Sequence, residues 1–358
     1  MAFAPRIAHL DSSRVWRGGQ QQLLLLAGEL RARGYEQCLV IRPGAVADRL
    51  RAAGLSVLAP GPAAWRQLRR CHLAHAHDGR AHTWMLAATC LARTRAGDSG
   101  VRRVLSRRVA FPIRGPASRW KYRRLDLAIA VSASVAAQVA AAGLDRAHIA
   151  VVPDAVDLAA LPDAAAARRR LRVLAGIAET APCLVCVGAF SPEKGVADLI
   201  AALPLLPPAC QLLLPGAGRL EAGLRRQAER LGMAARVHFT AALAATMPEW
   251  VAAGDVFVMP SREEGLGSAA LLAMALERPV VAATAGGVPE LIEAGVTGLL
   301  TPPGDAAALA AACHRLLDDA ALAARLAAAA RRRVEQRHSL AAIADATLAA
   351  YRSAAPSL

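Results

Sequence analysis

Short apolar runs alternate with longer amphipathic segments along the whole chain of 358 residues. This alternation is typical of parallel strands joined by crossover helices. It predicts seven strands in the first half of the chain, at 7–10, 38–41, 56–58, 73–77, 104–106, 127–131 and 149–152. It predicts six more in the second half, at 184–187, 211–214, 237–240, 256–259, 280–283 and 298–300. Each half is therefore predicted to form a doubly wound parallel α/β sheet.

A boundary between the two halves lies in the stretch 153–162, which contains proline and aspartate and precedes an Ala/Arg-rich helix ending near Arg172. Chains of this length usually divide into two domains. We predict an N-terminal domain at 1–160, a C-terminal domain at 161–338, and a last helix at 339–358 that returns to the N-terminal domain. The Ala-rich stretch 305–331 keeps Leu at helical spacing and is predicted to be helical.

The amino-acid composition and the first ten residues indicate the cellular compartment of the protein. Hydrophobic residues make up 55% of the chain, but Arg, Asp, Gln or Gly interrupts every long apolar run before it could cross a bilayer. The first ten residues contain Arg6 and His9 and lack the apolar core of a signal peptide. Seven scattered cysteines fit reduced thiols, and Cys183 and Cys186 fall on opposite faces of one strand, which argues against a metal or redox site. We expect a cytoplasmic protein.

The net charge of +15 is concentrated in the first half. Residues 1–160 carry 24 of the 43 basic residues and 10 of the 28 acidic ones, a net of +14, and the remaining 19 and 18 leave a net of +1. This asymmetry indicates that the first half faces a polyanion, either an anionic membrane surface or a phosphorylated substrate. A general preference for arginine is the alternative, since the chain has only two lysines. Aromatic residues are only 4% of the chain, which argues against nucleic acid.

The basic clusters best suited to an anionic membrane lie in one stretch with three aromatic residues that could enter the interface. The clusters are Arg102 with Arg103, Arg107 with Arg108, and 119–124, and the aromatic residues are Phe111, Trp120 and Tyr122. We therefore predict peripheral association with the inner face of the plasma membrane through this stretch.

Gly18 and Gly19 follow the first strand and open a helix predicted at 20–33, which Gly34 would end. Backbone amides at such a helix start, together with the positive end of the helix dipole, form a natural anion site. The alternative is a tight strand-to-helix turn that needs glycine for purely structural reasons.

The second half repeats this arrangement twice. Gly216 and Gly218 follow one predicted strand, and the turn 265–268 opens a helix predicted at 269–276, with Ser268 as its N-cap. Turns that follow strands of one open α/β sheet converge at its carboxyl edge, where ligands bind. A diphosphate is the ligand that this arrangement favours.

Lys194, one of only two lysines, follows another predicted strand of the same sheet. There it could neutralise a phosphate as a point charge. A solvated surface lysine is the alternative.

Further motifs occur at 260–267, 273–275, 279–281, 286–290 and 298–300, together with Gly18, Gly19, 75–77, 131–132, 188–195 and 216–218. In order and approximate spacing this set resembles the retaining glycosyltransferases of family four. The resemblance covers nearly the whole chain and implies the GT-B fold, in which two Rossmann-like domains face each other across a cleft. It specifies the fold more closely than it specifies the substrate.

The resemblance also assigns roles. It implies that Glu264 contacts the hydroxyl groups of the donor sugar and that Lys194 holds its diphosphate. It implies that His77 is the histidine of the N-terminal domain near the reacting sugar, although His75 is close enough to be confused with it. The residues implied to offer backbone amides to the sugar and the diphosphate are Gly265, Leu266, Gly267 and Ser268.

Two positions depart from the family pattern. Ala189 stands where the family usually has an arginine that binds the diphosphate, and Leu272 stands where it has a second acidic residue that binds the ribose. The arginines that lie beside the glycine turns and could supply the missing charge are Arg219, Arg14 and Arg17.

Together these features predict an enzyme that transfers a glycosyl group from a nucleoside diphosphate sugar to a hydroxyl group of an envelope glycan, such as lipopolysaccharide, or of a lipid-linked saccharide. The resemblance implies retention at the anomeric carbon. Fixed cations and helix N-termini would stabilise the leaving diphosphate, so we expect neither a metal nor a cofactor. Because two charges of the family pattern are missing, the alternative is a weakened relative that binds glycans or regulates a partner. A sugar-nucleotide epimerase of the same fold matches the local motifs less well.

Overall fold

The computed structural model describes residues 6–90, 100–240 and 245–356. The chain divides into two compact units, one formed by Met1–Ala155 with Leu340–Leu358 and the other by Val156–Ser339. The division lies five residues before the predicted boundary.

Seven strands of the first unit, within the described residues, form one parallel sheet: β1 (Arg6–Asp11), β2 (Glu36–Ile41), β3 (Val57–Leu58), β4 (Leu73–Ala76), β5 (Arg102–Arg107), β6 (Leu127–Ala130) and β7 (Ile149–Val151). Their order in the sheet is β3-β2-β1-β4-β5-β6-β7. The strand order reverses between β1 and β4, so the carboxyl ends of these two strands flank the crevice where such sheets bind ligands.

Six helices lie in the described part of the first unit before its boundary: α1 (Gly18–Ala32), α2 (Ala45–Ala52), α3 (Pro62–Leu68), α4 (Gly79–Cys90), α5 (Pro116–Tyr122) and α6 (Ala133–Ala141). Helix α1 starts two residues earlier than predicted, and Gly34 follows its end with a φ of 83°. Only glycine adopts that left-handed conformation readily, which explains why the helix stops there.

The sheet of the second unit is also parallel: β8 (Cys183–Val185), β9 (Gly188–Ala189), β10 (Gln211–Ala217), β11 (Val237–Thr240), β12 (Val256–Met259), β13 (Val280–Ala283) and β14 (Leu299–Thr301). The order is β11-β10-β8-β12-β13-β14, and β9 pairs with the end of β10. Here the order reverses between β8 and β12, which places a second ligand crevice at their carboxyl ends.

Eight helices lie in the described part of the second unit: α7 (Ala164–Leu174), α8 (Val196–Ala202), α9 (Glu221–Arg230), α10 (Met247–Ala252), α11 (Ser268–Ala275), α12 (Val288–Leu291), α13 (Ala306–Asp318) and α14 (Ala320–Arg337). The predicted helical stretch 305–331 is two helices, because the carboxylate of Asp319 accepts a hydrogen bond from the amide of Leu322 and caps a new helix. None of the helices described is both long and apolar enough to cross a bilayer.

The last helix, α15 (Leu340–Ala354), packs in the first unit beside α1 and β6. Its Tyr351 is fully buried, and the phenol oxygen lies 2.6 Å from Nδ1 of His75. The other nitrogen of His75, Nε2, lies 2.8 Å from Oγ of Ser106. Both polar atoms of this buried imidazole therefore have partners, and one of the partners comes from the far end of the chain.

Replacing Tyr351 by Phe is expected to lower the free energy of unfolding by about 1–3 kcal/mol, because Nδ1 of His75 loses its partner in a buried site. Tyr35→Phe is the matched control, since that hydroxyl accepts an exposed hydrogen bond from Arg352 and should matter by less than about 0.5 kcal/mol. Urea unfolding of the two variants measures the difference. Equal stability of both variants would show that α15 does not depend on this contact.

Candidate active site

An ion pair between Lys194 and Glu264 lies at the crevice of the second unit. Nζ of Lys194 lies 2.6 Å from Oε2 of Glu264, and the hydroxyl of Ser261 donates to the same oxygen at 3.2 Å. Both charged side chains are partly exposed, 33% for the lysine and 15% for the glutamate. They line a cleft of about 410 Å³ together with Ala189, Ser268 and other residues of the same unit. The pair thus presents a cation and an acceptor carboxylate side by side to solvent.

Close loop contacts bring the two residues together. Lys194 ends a short 3₁₀ turn, and Gly195 follows it with a φ of 63°. A side chain at Gly195 would place its Cβ 2.0 Å from the carbonyl oxygen of Pro260, so only glycine lets the two loops touch. Gly286, with a φ of 54°, approaches the carbonyl of Glu264 in the same way. The backbone on both sides of the ion pair is therefore fixed by glycines.

The turn 265–268 leads from Glu264 into α11. Gly265, Leu266 and Gly267 are buried, and Ser268 lines the cleft with Ala269. The first helical hydrogen bond runs from the amide of Leu271 to the carbonyl of Gly267, at 2.9 Å. The amides at 268–270 therefore precede the helical ladder, which is the arrangement that attracts anions.

The predicted N-cap of this helix is wrong by one residue. Gly267 occupies the N-cap position with a φ of 107°, and Ser268 is the first residue of the helix. A Cβ at Gly267 would lie 2.8 Å from Cε of Met259, so both the backbone conformation and the packing require glycine. The hydroxyl of Ser268 therefore does not cap the helix.

Gly216 and Gly218 have a packing role that the sequence did not reveal. Strand β10 continues through Ala217 and pairs there with β9. A Cβ at Gly216 would lie 2.1 Å from the carbonyl oxygen of Gly188, and one at Gly218 would lie 2.5 Å from that of Phe190. Close approach of two backbones is sufficient to explain both glycines.

Arg219 follows this turn and is exposed. The pKa of the Glu193 carboxyl is lowered, first by a hydrogen bond from Ser191 and further by the charges of Lys194 and Arg219. The guanidinium is therefore close enough to add positive charge to the loop that carries Lys194. Leu272, the position of the missing acidic residue, is half-buried one turn into α11.

In the first unit, His77 directly follows β4 at the crevice between β1 and β4. Its Nε2 lies 3.0 Å from Nδ1 of His9, and its Nδ1 lies 3.5 Å from Nη1 of Arg108. Nε of Arg108 in turn donates to Asp154 at 3.1 Å. His77 is 8% exposed, whereas His75 is fully buried. The two histidines, which the sequence alone could not tell apart, therefore differ in their access to solvent.

The histidine cluster is neutral. Burial lowers the pKa of His9 to about 4 and lowers the pKa values of His75 and His77 well below the ordinary range. One ring nitrogen from each histidine lies within 4.8 Å of the others, a spacing that could hold a transition metal. Arg108 adds a positive charge beside these nitrogens, and His75 is already bonded on both sides. We therefore interpret the cluster as hydrogen-bonded neutral imidazoles.

The free energy of unfolding is expected to fall as the pH is lowered from about 6.5 towards 4. In that window the unfolded chain binds protons at His9 and His82, whereas burial lowers their folded pKa values to about 4. Each such histidine contributes up to about 1.4 kcal/mol per pH unit. The carboxyl of Asp11 acts in the opposite sense, because burial raises its pKa. Urea unfolding at pH 6.5 and 5 measures the slope, which His82→Gln should reduce. Equal stability at both pH values contradicts the prediction.

Two carboxylates that sequence reasoning missed bind the loop after β1, one at the end of β1 and one in the loop after β4. Asp11 is buried and accepts hydrogen bonds from Gln20 and from the amide of Ser13, both at 2.8 Å. Asp78 accepts from the amide and the hydroxyl of Ser12, at 2.5 and 2.7 Å. Their positions directly after predicted strands were the available signal. These bonds fix the loop that precedes α1.

Gly18 and Gly19 are the first two residues of α1, with Arg17 as the N-cap. A Cβ at Gly19 would meet no atom within 4 Å, so packing does not require glycine at this position. The side chain of Gln20 completes the cap by accepting from the amide of Arg17 at 3.2 Å.

The basic surface of the first unit is smaller than the sequence suggested. Tyr122 is buried and hydrogen-bonded to Arg107, so the prediction that it enters an interface is wrong. Asp126 binds Arg103, and Asp154 binds Arg108. The residues of the predicted clusters and aromatic set that are exposed are Arg102, Phe111, Arg119, Trp120, Arg123 and Arg124.

Comparison with known proteins identifies the class. Residues 181–319 match the model for glycosyl transferases group 1, and residues 16–160 match that for glycosyltransferase family 4. The GDP-mannose-dependent alpha-(1-6)-phosphatidylinositol monomannoside mannosyltransferase of Mycobacterium tuberculosis (strain ATCC 25618 / H37Rv) is 32% identical over 280 residues, which cover 71% of this chain and 72% of the relative. The alpha-D-kanosaminyltransferase of Streptomyces kanamyceticus is 34% identical over 194 residues, covering 53% and 50%.

Among solved structures, Anabaena Alr3699/HepE in complex with UDP and glucose is similar with a TM-score of 0.85 and 24% identity, covering 98% of this chain and 100% of that one. The two doubly wound parallel sheets match the GT-B fold of that structure. The chain belongs to the group 1, or family 4, glycosyltransferases.

Proposed function

We propose that this glycosyltransferase moves a sugar from a nucleoside diphosphate sugar to a hydroxyl group of a saccharide or glycolipid acceptor, with retention of anomeric configuration and without a metal ion. The ion pair between Lys194 and Glu264, beside the amino end of α11, carries the proposal. Its lysine suits a diphosphate, and its carboxylate suits the hydroxyl groups of a sugar. In the absence of donor the ion pair holds both side chains in place. When the donor binds, its diphosphate replaces Glu264 as the partner of Lys194, and its hydroxyl groups bind the carboxylate.

The proposed chemistry gives each group a task. The bond between the anomeric carbon and the diphosphate oxygen breaks, the acceptor oxygen bonds to that carbon, and the acceptor proton leaves with the diphosphate. Negative charge grows on the diphosphate as the bond breaks, where Lys194 and the amides at 268–270 can stabilise it. Fixed positive charge of this kind takes the place of a metal ion. His77 remains the residue of the first unit proposed to contact the reacting sugar.

The two departures from the family pattern have different consequences in this proposal. Arg219 supplies charge near Lys194, which offsets the arginine that Ala189 replaces. Among the described residues that line the cleft, Glu264 is the only one with a carboxylate, so nothing there replaces the acidic residue missing at Leu272 and the ribose is held by fewer hydrogen bonds. Glu264 and Lys194 are both present and paired, which favours an active enzyme over a relative that only binds glycans.

Relatives guide the choice of donor and acceptor. The mycobacterial relative is named as dependent on GDP-mannose and as acting on a phosphatidylinositol monomannoside, and the Anabaena structure contains UDP and glucose. We propose a glycolipid acceptor and a donor with GDP or UDP as the leaving group. Transfer from GDP-mannose and UDP-glucose to a lipid-linked saccharide, followed by proton NMR of the product, tests the proposal. An inverted anomer, or activity abolished by EDTA, would overturn retention or metal independence respectively.

We further propose that the first unit docks on anionic lipid through the segment 109–124. Phe111 and Trp120 are 48% and 51% exposed, and the guanidinium of Arg124 stacks 4.3 Å above the ring of Trp120. An exposed aromatic ring beside arginine is suited to the boundary between headgroups and acyl chains. A glycolipid acceptor would lie in the same membrane.

Changing Arg119, Lys121, Arg123 and Arg124 to Ser is expected to abolish sedimentation with anionic vesicles, because each basic residue near the surface contributes about 1 kcal/mol. High salt should release the unmodified protein. Neutral vesicles should leave it in the supernatant.

An equal charge loss elsewhere is the control, with Arg169, Arg226, Arg230 and Arg332, all exposed in the second unit, changed to Ser. This variant should still sediment with anionic vesicles. If both variants lose binding equally, the general arginine content rather than the segment 109–124 attracts the lipid.

A further inference from the structure

Two cysteines lie in contact at the amino edge of the first sheet, opposite the carboxyl edge that carries His77. Cys38 lies on β2, and Cys71 lies two residues before β4. Their sulfur atoms are 3.9 Å apart, and Sγ of Cys71 lies 3.5 Å from the carbonyl oxygen of Gln67. A disulfide bond needs about 2 Å between the sulfurs, so a shift of about 2 Å would join them.

An open pocket leads to this pair. Its volume, which includes space open to solvent, is about 530 Å³, and its lining consists of Arg6, Glu36, Gln37, Gln67, Arg70 and the two cysteines. Both cysteines line the pocket, although only 7% of each residue is exposed, and we infer that a reagent approaches their sulfur atoms from there. Two arginines against one glutamate make the lining basic, which suits a small molecule that carries carboxylates.

The two thiols differ in acidity. The hydrogen bond between them lowers the pKa of Cys38, and the charge of Arg6 lowers it further, while the same bond and burial raise the pKa of Cys71. Cys38 is therefore the better nucleophile of the pair. By contrast, burial raises the pKa of Cys183 and Cys186 to about 12 and that of Cys210 to about 11, which makes those thiols unreactive.

We propose that Cys38 and Cys71 form a reversible thiol-modification site that reacts with small anionic disulfides, of which oxidised glutathione is the probe. Cys38, as thiolate, attacks one sulfur of the probe, forms a mixed disulfide and releases one thiolate. Cys71 then loses its proton and attacks Cys38, which forms the internal disulfide and releases the second thiolate. Two protein thiols are oxidised, and one small disulfide is reduced to two thiols. The internal disulfide connects β2 to the segment before β4.

Treatment of the reduced full-length protein with oxidised glutathione, followed by non-reducing peptide mass spectrometry, tests the site. The expected product is one linked pair of peptides containing Cys38 and Cys71, lighter by two hydrogen atoms. Cys71→Ser should stop at glutathione on Cys38, and Cys38→Ser should give neither product. Cys186→Ser is the matched control and should react as the unmodified protein does.

A second measurement needs no variant. Phenylarsine oxide binds two adjacent thiols together. It should therefore protect Cys38 and Cys71 from alkylation and leave the extent of alkylation of Cys210 unchanged. Absence of the linked peptide together with absence of protection would overturn the proposal. Glutathione bound equally to Cys38 and Cys210 would also overturn it, because the selectivity of the pocket would be lost.

Discussion

Replacing Glu264 by Gln is expected to reduce sugar transfer by at least about a hundredfold while the protein stays folded. The carboxylate lies 2.6 Å from Nζ of Lys194 and presents an acceptor to the cleft. The amide has nearly the same shape but carries no charge and offers one acceptor oxygen instead of two. Steady-state rates with the best donor, and a melting curve for each protein, measure the effect.

Glu263→Gln is the matched control, because Glu263 is an exposed neighbour in the same loop. It changes the net charge by the same amount and should retain nearly full activity. If Glu264→Gln also retains it, the residue does not contact the sugar. A loss of activity that accompanies a large fall in melting temperature would show a structural role instead.

Replacing Lys194 by Ala is expected to weaken donor binding and to lower kcat by about a hundredfold. The cation contributes to the bound diphosphate and contributes more as the diphosphate leaves, so KM and kcat should change together. Lys194→Arg should restore part of the rate, because it restores the charge in a different geometry.

Arg219→Ala provides the comparison for the lysine, since Arg219 adds charge to the same loop from an exposed position. It should raise KM modestly and leave kcat close to the unmodified value. If Lys194→Ala leaves both constants unchanged, the lysine is a surface residue whose partner is Glu264 alone.

The sheets could be predicted because buried parallel strands are continuous apolar runs. All thirteen predicted strands are present in the structure, and their ends differ from the predicted ones by at most three residues. The strand that was missed, β9, consists of Gly188 and Ala189 and has no apolar pattern of its own. It exists because β10 extends through Ala217 and offers backbone groups for pairing.

The candidate site could be predicted only in part. Lys194 and Glu264 are 70 positions apart, and the sequence placed each after a strand of one sheet without showing that they pair. The packing of Gly216 against Gly188 was not visible either, because a close backbone contact leaves no periodic pattern. A glycine in the sequence indicates that a side chain would not fit, but only the structure shows that the backbone of Gly188 lies next to Gly216.

The burial of several polar residues could not be predicted from the sequence. His9, Asp11 and Gln20 are all buried, although polar residues are usually exposed. Their hydrogen-bond partners come from other elements, so the sequence of one strand cannot reveal them. The burial of Tyr122 could not be predicted for the same reason, because the side chain packs in the core and binds Arg107.

Thermal stabilisation by nucleoside diphosphate sugars tests the central claim most directly. A ligand that binds only the folded protein raises its melting temperature, by more when its concentration is higher or its affinity greater. The parent nucleoside serves as a control that lacks the diphosphate. The proposal predicts that either the GDP sugars or the UDP sugars raise the melting temperature. CMP sugars, which carry a single phosphate, and the nucleoside alone should not raise it, and Lys194→Ala should remove most of the shift. If no sugar nucleotide stabilises the protein, or if the Lys194→Ala variant is stabilised equally, the proposed donor site is contradicted.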